Sequence, residues 1–201
     1  FRRVLFRSDL FHQQPSRSGD GRFIVFSGGK FEYRKGQDLV IAAMKTFMER
    51  HPDVWLSCSW HNHWPQSLMT MEQSRLIDFT WRAAPCHLLL LETVCRNGLD
   101  PNRVLLHPPF ANSRMPLIYA ESDIGLFPNR CEGGNNLVMC EYMASGRTVI
   151  ASDRTGQADV VTAENAWPLT SYRPVAALTG GVQTGAWHEA VVEELLEALE
   201  E

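Results

Sequence analysis

Short apolar runs that alternate with helix-period segments, with glycine-bearing loops between them, limit this chain to few folds. Arg22–Phe26 (RFIVF), Val54–Cys58, Arg103–His107 (RVLLH), Asp123–Phe127 (DIGLF) and Thr148–Ala151 (TVIA) read as buried strands. Between the first two, Leu39, Val40, Ala43, Met44 and Phe47 recur at a helical period over Gln37–Glu49. Arg114–Glu121 and Asn136–Ala144 read as further helices, the second closed by Gly146 at its C′ position. Ser67–Ala83 reads as irregular helix, and Pro85–Cys95 as either a buried helix or a strand. Buried strands alternating with helices predict an α/β fold, a doubly wound, Rossmann-like parallel sheet. Toward the C-terminus, Gly180–Gly185 reads as a loop and Trp187–Glu201 as an acidic amphipathic helix.

Composition removes several function classes. Net charge is −4, which gives no basic surface for nucleic acid. No apolar run reaches the roughly 20 residues of a membrane-spanning helix. Cys58, Cys86, Cys95, Cys131 and Cys140 show no CxxC spacing. Free thiols in a reducing, cytoplasmic setting are the simplest reading.

The first residues stand apart. Phe1-Arg2-Arg3-Val4-Leu5-Phe6-Arg7-Ser8 back-translates to the end of a common sequencing-library adaptor. Residues 1–8 are therefore expected to be read-through in an assembled environmental read, so that the chain begins inside a longer protein. Residues 9–21, rich in Pro, Gly and polar side chains, read as a linker, and 22–201 as the folded domain.

Two loops carry chemistry. Gly28-Gly29-Lys30-Phe31-Glu32-Tyr33-Arg34-Lys35-Gly36 joins a strand to a helix and sets two ammonium groups beside a helix N-terminus. Such a loop suits a diphosphate, or is a solvated basic turn. It is neither a Walker sequence nor a dinucleotide GxGxxG. The second loop, Glu132-Gly133-Gly134-Asn135-Asn136-Leu137, precedes the helix that carries Glu141. There Asn135 or Asn136 can cap the helix, and the free amides can hold an anion. Both loops follow strand ends and should line one sheet edge. Trp60-His61-Asn62-His63-Trp64 reaches that edge too; a metal site from Cys58, His61 and His63 is a weaker reading than a loop near the ligand.

The pair of loops resembles the C-terminal, donor-binding domain of a GT-B glycosyltransferase of the retaining GT4-like group. That group's first loop runs Gly-Arg-Leu-x-x-x-Lys-Gly; here Gly29-Lys30-Phe31 is followed by Lys35-Gly36, with Lys30 where Arg is usual. The second motif is matched from Glu132 to Val149, with one residue more than usual between Glu132 and Glu141, and continues through Ala151-Ser152-Asp153, Thr155-Gly156 and Asp159-Val160-Val161. The resemblance implies transfer of a sugar from a nucleoside diphosphate sugar to an acceptor held by a separate N-terminal domain. It implies Lys30, Lys35 and Glu132 as catalytic residues, the lysines aiding departure of the nucleoside diphosphate. Gly28, Gly29, Gly133, Gly134, Asn135, Asn136, Leu137 and Glu141 would bind the donor, Glu141 through the ribose hydroxyls. No metal or cofactor is implied. Alternatives that reuse the half-site are a sugar-nucleotide epimerase or phosphorylase, and a degenerate nucleotide-binding domain without catalysis.

Overall fold

The structure, a computed structural model, describes residues 9–13, 15 and 19–201. The expected adaptor residues, 1–8, lie outside the described residues. Strands β1 (Phe23–Gly29), β2 (Val54–Trp60), β3 (Val104–Leu106), β4 (Ile124–Phe127), β5 (Thr148–Ser152) and β6 (Trp167–Leu169) form one parallel sheet. Their order is β3-β2-β1-β4-β5-β6. Helices α1 (Gln37–Arg50), α2 (Pro65–Leu68), α3 (Cys86–Arg96), α4 (Met115–Ala120), α5 (Leu137–Ala144) and α6 (Val192–Glu200) connect and cover it.

The sheet is buried on both faces, which explains why its strands read as apolar runs rather than as alternation. On β1, Val25 joins a core that contains Leu39, Met44, Leu56, Leu126, Ile150 and Leu195. Its neighbour Phe26 points the other way, into a core with Tyr119, Phe127, Met139 and Tyr142. Phe26 stacks on Tyr142 at 5.0 Å between ring centroids, which presses α5 onto the sheet. Phe11, within the expected linker, is buried in this second core and packs 6.0 Å from Tyr119.

Strand order reverses between β1 and β4. The chain first builds outward through β2 and β3, then returns to add β4, β5 and β6 on the other side of β1. Crossovers diverge at such a switch point and leave a crevice beyond the strand ends. The loops that leave β1 and β4 are the two glycine loops.

The stretch Pro85–Cys95, open between helix and strand in the sequence, is helical as α3. Two expectations are corrected. Trp187 does not begin a helix: β7 (Tyr172–Thr179) and β8 (Val182–Ala190) form an antiparallel hairpin, and the helix starts at Val192. Of the expected loop, Gly180 and Gly181 are the turn, at φ +58° and +81°, and Val182 onward is strand. Paired positive φ values match the twist of a two-residue hairpin, so the glycines mark a hairpin rather than a long loop. Within Ser67–Ala83, helical turns extend only through Gln73.

Gly36 ends the 3-10 turn Tyr33–Lys35 and starts α1 with φ +75°. A Cβ there would strike the backbone carbonyl of Pro128, which belongs to the loop after β4. Both backbone angle and space therefore require glycine. Gly36→Ala is expected to lower unfolding stability by about 2 kcal/mol or more. A urea midpoint within experimental error of the parent would contradict this account of the loop contact.

Candidate functional site

The loop after β1 is held from several sides. Gln37, buried at the start of α1, donates its side-chain amide to Lys30 O at 2.7 Å and accepts from Glu32 N at 3.3 Å. The loop after β4 hydrogen-bonds to the first through backbone alone: Arg130 N and Cys131 N both donate to Arg34 O, at 2.9 and 3.2 Å. The two glycine loops therefore form one unit.

Arg130 fastens that unit from below. Its guanidinium is fully buried and donates to both carboxylate oxygens of Asp38, each at 2.7 Å. It also reaches Glu189 Oε2 at 2.7 and 2.9 Å, and it donates to Tyr33 O at 2.5 Å. The guanidinium carbon stands 3.8 Å from the centroid of the Tyr33 ring, a cation–π arrangement. Helix α1, the first loop, the second loop and β8 thus meet on one side chain.

Above it lies a cleft of about 400 Å³. Gly29, Lys30, Lys35, Asn135, Asn136, Leu137 and Glu141, all expected from the sequence, line it. Gly28, Glu132, Gly133 and Gly134 do not. Gly28 has a packing reason instead: a Cβ there would come 2.8 Å from the Val138 side chain, so glycine lets α5 approach β1. The wall also contains residues to which the sequence assigned no role: Arg34, Ser59, Phe110, Asn112 and Tyr119. The signal that could have found Ser59 and Phe110 is position. They stand at or just beyond the carboxyl ends of β2 and β3, on the edge that the glycine loops occupy.

Helix α5 aims its N-terminus at the cleft. Asn136 caps it, its Oδ1 accepting from Met139 N at 3.3 Å. The same side chain is 3% exposed and its Nδ2 has no partner; Ser59 Oγ, on the facing wall, has none either. A buried polar atom without a partner is costly, so two around one cleft suit a polar ligand.

The charged groups divide unequally. Lys35, 12% exposed, pairs with Glu132, 7% exposed. Burial pulls the Lys35 ammonium below its ordinary pKa, and the Glu132 carboxylate offsets only part of that. Glu132 also accepts from Arg34 at 3.1 Å and from Asn129 at 2.5 Å. Lys30 lies over the Trp64 ring, 4.4 Å from its centroid. Glu141 accepts from the Tyr119 hydroxyl at 3.1 Å and from Asn112 at 3.4 Å. Burial raises the Glu141 pKa; its two hydrogen bonds oppose the rise.

His61 lies on the cleft wall, with its ring 5.1 Å from that of His63. Burial and then His63 hold its pKa down. Among the described residues no group of three or more His, Cys, Asp or Glu is arranged to hold a metal.

Replacing Arg130 by Met leaves Asp38 buried without its partner. We expect a loss of about 3–5 kcal/mol, the range for breaking a buried ion pair from one side. A change in urea unfolding free energy under about 1 kcal/mol would contradict the clamp.

Comparison with known proteins agrees with this geometry. Residues 85–184 match the family model for glycosyl transferases group 1. The C-terminal domain of the glycosyl transferase group 1 family protein LpcC from Francisella tularensis superposes with a TM-score of 0.63 at 18% identity, over 97% of this chain and 86% of that one. Anabaena Alr3699/HepE, solved in complex with UDP and glucose, gives 0.57 at 21% identity, over 82% of this chain and 41% of that one. An E. coli trehalose-6-phosphate protein bound with UDP-2-fluoro glucose gives 0.51 at 17% identity, over 69% of this chain and 31% of that one. The chain thus spans most of the isolated domain but less than half of the longer chains. No curated protein sequence matches significantly. Residues 85–184 thus carry the glycosyl transferases group 1 family match, and the chain has the fold of a GT-B C-terminal domain.

Proposed function

We propose that this chain is the donor-binding half of a glycosyltransferase, which takes a sugar from a nucleoside diphosphate sugar and passes it to an acceptor held by another domain. The observation that carries the proposal is the cleft itself. It gathers Lys30, Lys35, the α5 N-terminus and Glu141 at the switch point of the sheet. Lysine ammonium groups and a helix N-terminus favour a diphosphate, and their field also stabilises the charge that builds on the leaving group. In this reading Lys30 and Lys35 hold the diphosphate, and amides of Asn135–Leu137 face the phosphate and sugar. Glu141 accepts the ribose hydroxyls, and Glu132 answers Lys35 beside the sugar. Gly29, on the cleft wall, lets the backbone approach the donor, while Gly28 lets α5 pack against β1. Retention of anomeric configuration follows the family resemblance. No resident cofactor or metal belongs to this reading, and the five free cysteines suit a cytoplasmic protein.

Titration calorimetry with UDP, GDP and ADP tests the site. One nucleotide should bind, and Lys30→Ala should weaken it roughly tenfold, as for a lost charge-assisted hydrogen bond. Silence from all three nucleotides, with a folded protein, would remove the donor reading. The chain alone should bind without transferring sugar, and steady transfer by it would contradict the division of labour. Nucleotide-sugar epimerisation or phosphorolysis by a longer form would favour those chemistries instead.

Affinity should also depend on pH. Burial raises the pKa of the Glu141 carboxyl above its ordinary value, against the hydrogen bonds from Tyr119 and Asn112. A neutral carboxyl accepts hydroxyl donors less well, so affinity should fall as pH drops through that raised value. The step should vanish in Glu141→Gln. An identical pH profile in parent and variant would separate Glu141 from nucleotide binding.

A further inference from the structure

The charges around the diphosphate site nearly cancel. Arg34 is paired with Glu32 at 3.0 Å and with Glu132 at 3.1 Å, and Lys35 is paired with Glu132. Among the loop's cations, Lys30 faces the Trp64 ring rather than a carboxylate. A diphosphate arriving here therefore meets cations whose charge is already answered.

The glutamate that answers them is held deliberately. Its carboxylate takes an ammonium, a guanidinium and the Asn129 amide, at 7% exposure. Its backbone N–H donates to Thr155 Oγ1 at 2.9 Å, and its carbonyl accepts from Gly156 N at 3.2 Å. Thr155 adopts φ +55°, a left-handed conformation unusual for a non-glycine residue, while making that contact. The turn that follows, Gly133–Asn135, is exposed and has open space around Gly133 and Gly134 on their side-chain side. The backbone is fixed at Glu132, and the Gly134 carbonyl rests against Gly156, so rotation of the Glu132 side chain alone takes the carboxylate off its cations and leaves α5 in place.

We propose that Glu132 is an internal stand-in for the donor's phosphate: its carboxylate occupies Lys35 and Arg34 until a diphosphate displaces it. The inference rests on the donor-binding reading above and deepens it. In the free protein the stand-in keeps a half-buried pair of cations satisfied, at the expense of nucleotide affinity. An anion of higher charge that bridges both cations wins the exchange, because it gains the same donors with more charge. No bond is made or broken in this exchange.

The test uses the whole chain, calorimetry with inorganic pyrophosphate and with UDP, GDP and ADP, and thermal unfolding without ligand. Glu132→Gln removes the competing charge and keeps the side-chain shape. It should bind pyrophosphate at least about threefold more tightly than the parent, while its ligand-free melting temperature falls. Asn129→Ala loosens Glu132 by removing one of its donors, and it should shift affinity in the same direction by less. A structural role alone lowers the melting temperature without tightening binding. Weaker or unchanged pyrophosphate binding in both variants overturns the proposal, as does a loss confined to nucleotide sugars, which would make Glu132 a sugar contact. If the parent binds neither pyrophosphate nor any nucleotide, and Lys30→Ala changes nothing, the donor site itself is wrong and the stand-in falls with it.

Discussion

A single buried guanidinium sets the geometry on which the site depends. Arg130 follows β4, has no solvent exposure, and meets Asp38, Glu189, the Tyr33 carbonyl and the Tyr33 ring at once. Taking such an ion out of water is expensive, and two carboxylates with near-ideal hydrogen bonds offset that expense only because every contact is made. The arrangement is therefore all-or-none. It fixes the entry of α1, the loop after β1, the loop after β4 and the root of the β7–β8 hairpin in one relation. His188 N donates to Arg130 O at 3.2 Å, so the backbone joins the same junction. A cleft between two separately mobile loops would have to order both when ligand binds; here the two loops are ordered together beforehand.

On that rigid base the sheet topology supplies the electrostatics. The reversal of strand order between β1 and β4 opens the crevice, and α5 points its N-terminus into it. Buried Asn136 and half-buried Ser59 each keep an inaccessible polar atom unpartnered at the wall. Of the three cations in the first loop, Arg34 and Lys35 are paired with carboxylates, and Lys30 lies over the Trp64 ring. The protein thus leaves neutral hydrogen-bonding groups free and neutralises most of its charge. In the proposed donor-binding reading, such a surface favours ligands able to compete for cations, a property a diphosphate has and most neutral metabolites lack.

Much of this was legible in the sequence where local chemistry and fold coincide. The buried strands and an asparagine cap at 135 or 136 could be read because each has a local reason: apolar burial on both faces, and orphan amides to satisfy. Lys30, Lys35 and Glu141 could be placed by motif spacing. Arg130 could not, because Asn129-Arg130 looks like any polar loop, and Asp38 like any first-turn acid. Their partner Glu189 lies in a segment that reads as helix. That segment misled because Trp187-His188-Glu189-Ala190 runs into a genuine amphipathic helix at Val192; only pairing with Tyr172–Thr179 makes it strand. The Lys35–Glu132 contact was hidden for a similar reason. Two residues assigned separately to a ligand turn out to hold each other.

The central claim is that the two glycine loops act as one nucleotide-diphosphate site. Amide chemical-shift mapping of the full chain during titration with a nucleoside diphosphate tests it most directly. The account predicts that amides of Gly29–Gly36 and of Gly133–Val138 shift together along one saturation curve, while those near the Gly180–Gly181 turn stay in place. Shifts confined to one loop, or centred away from the cleft, would contradict it.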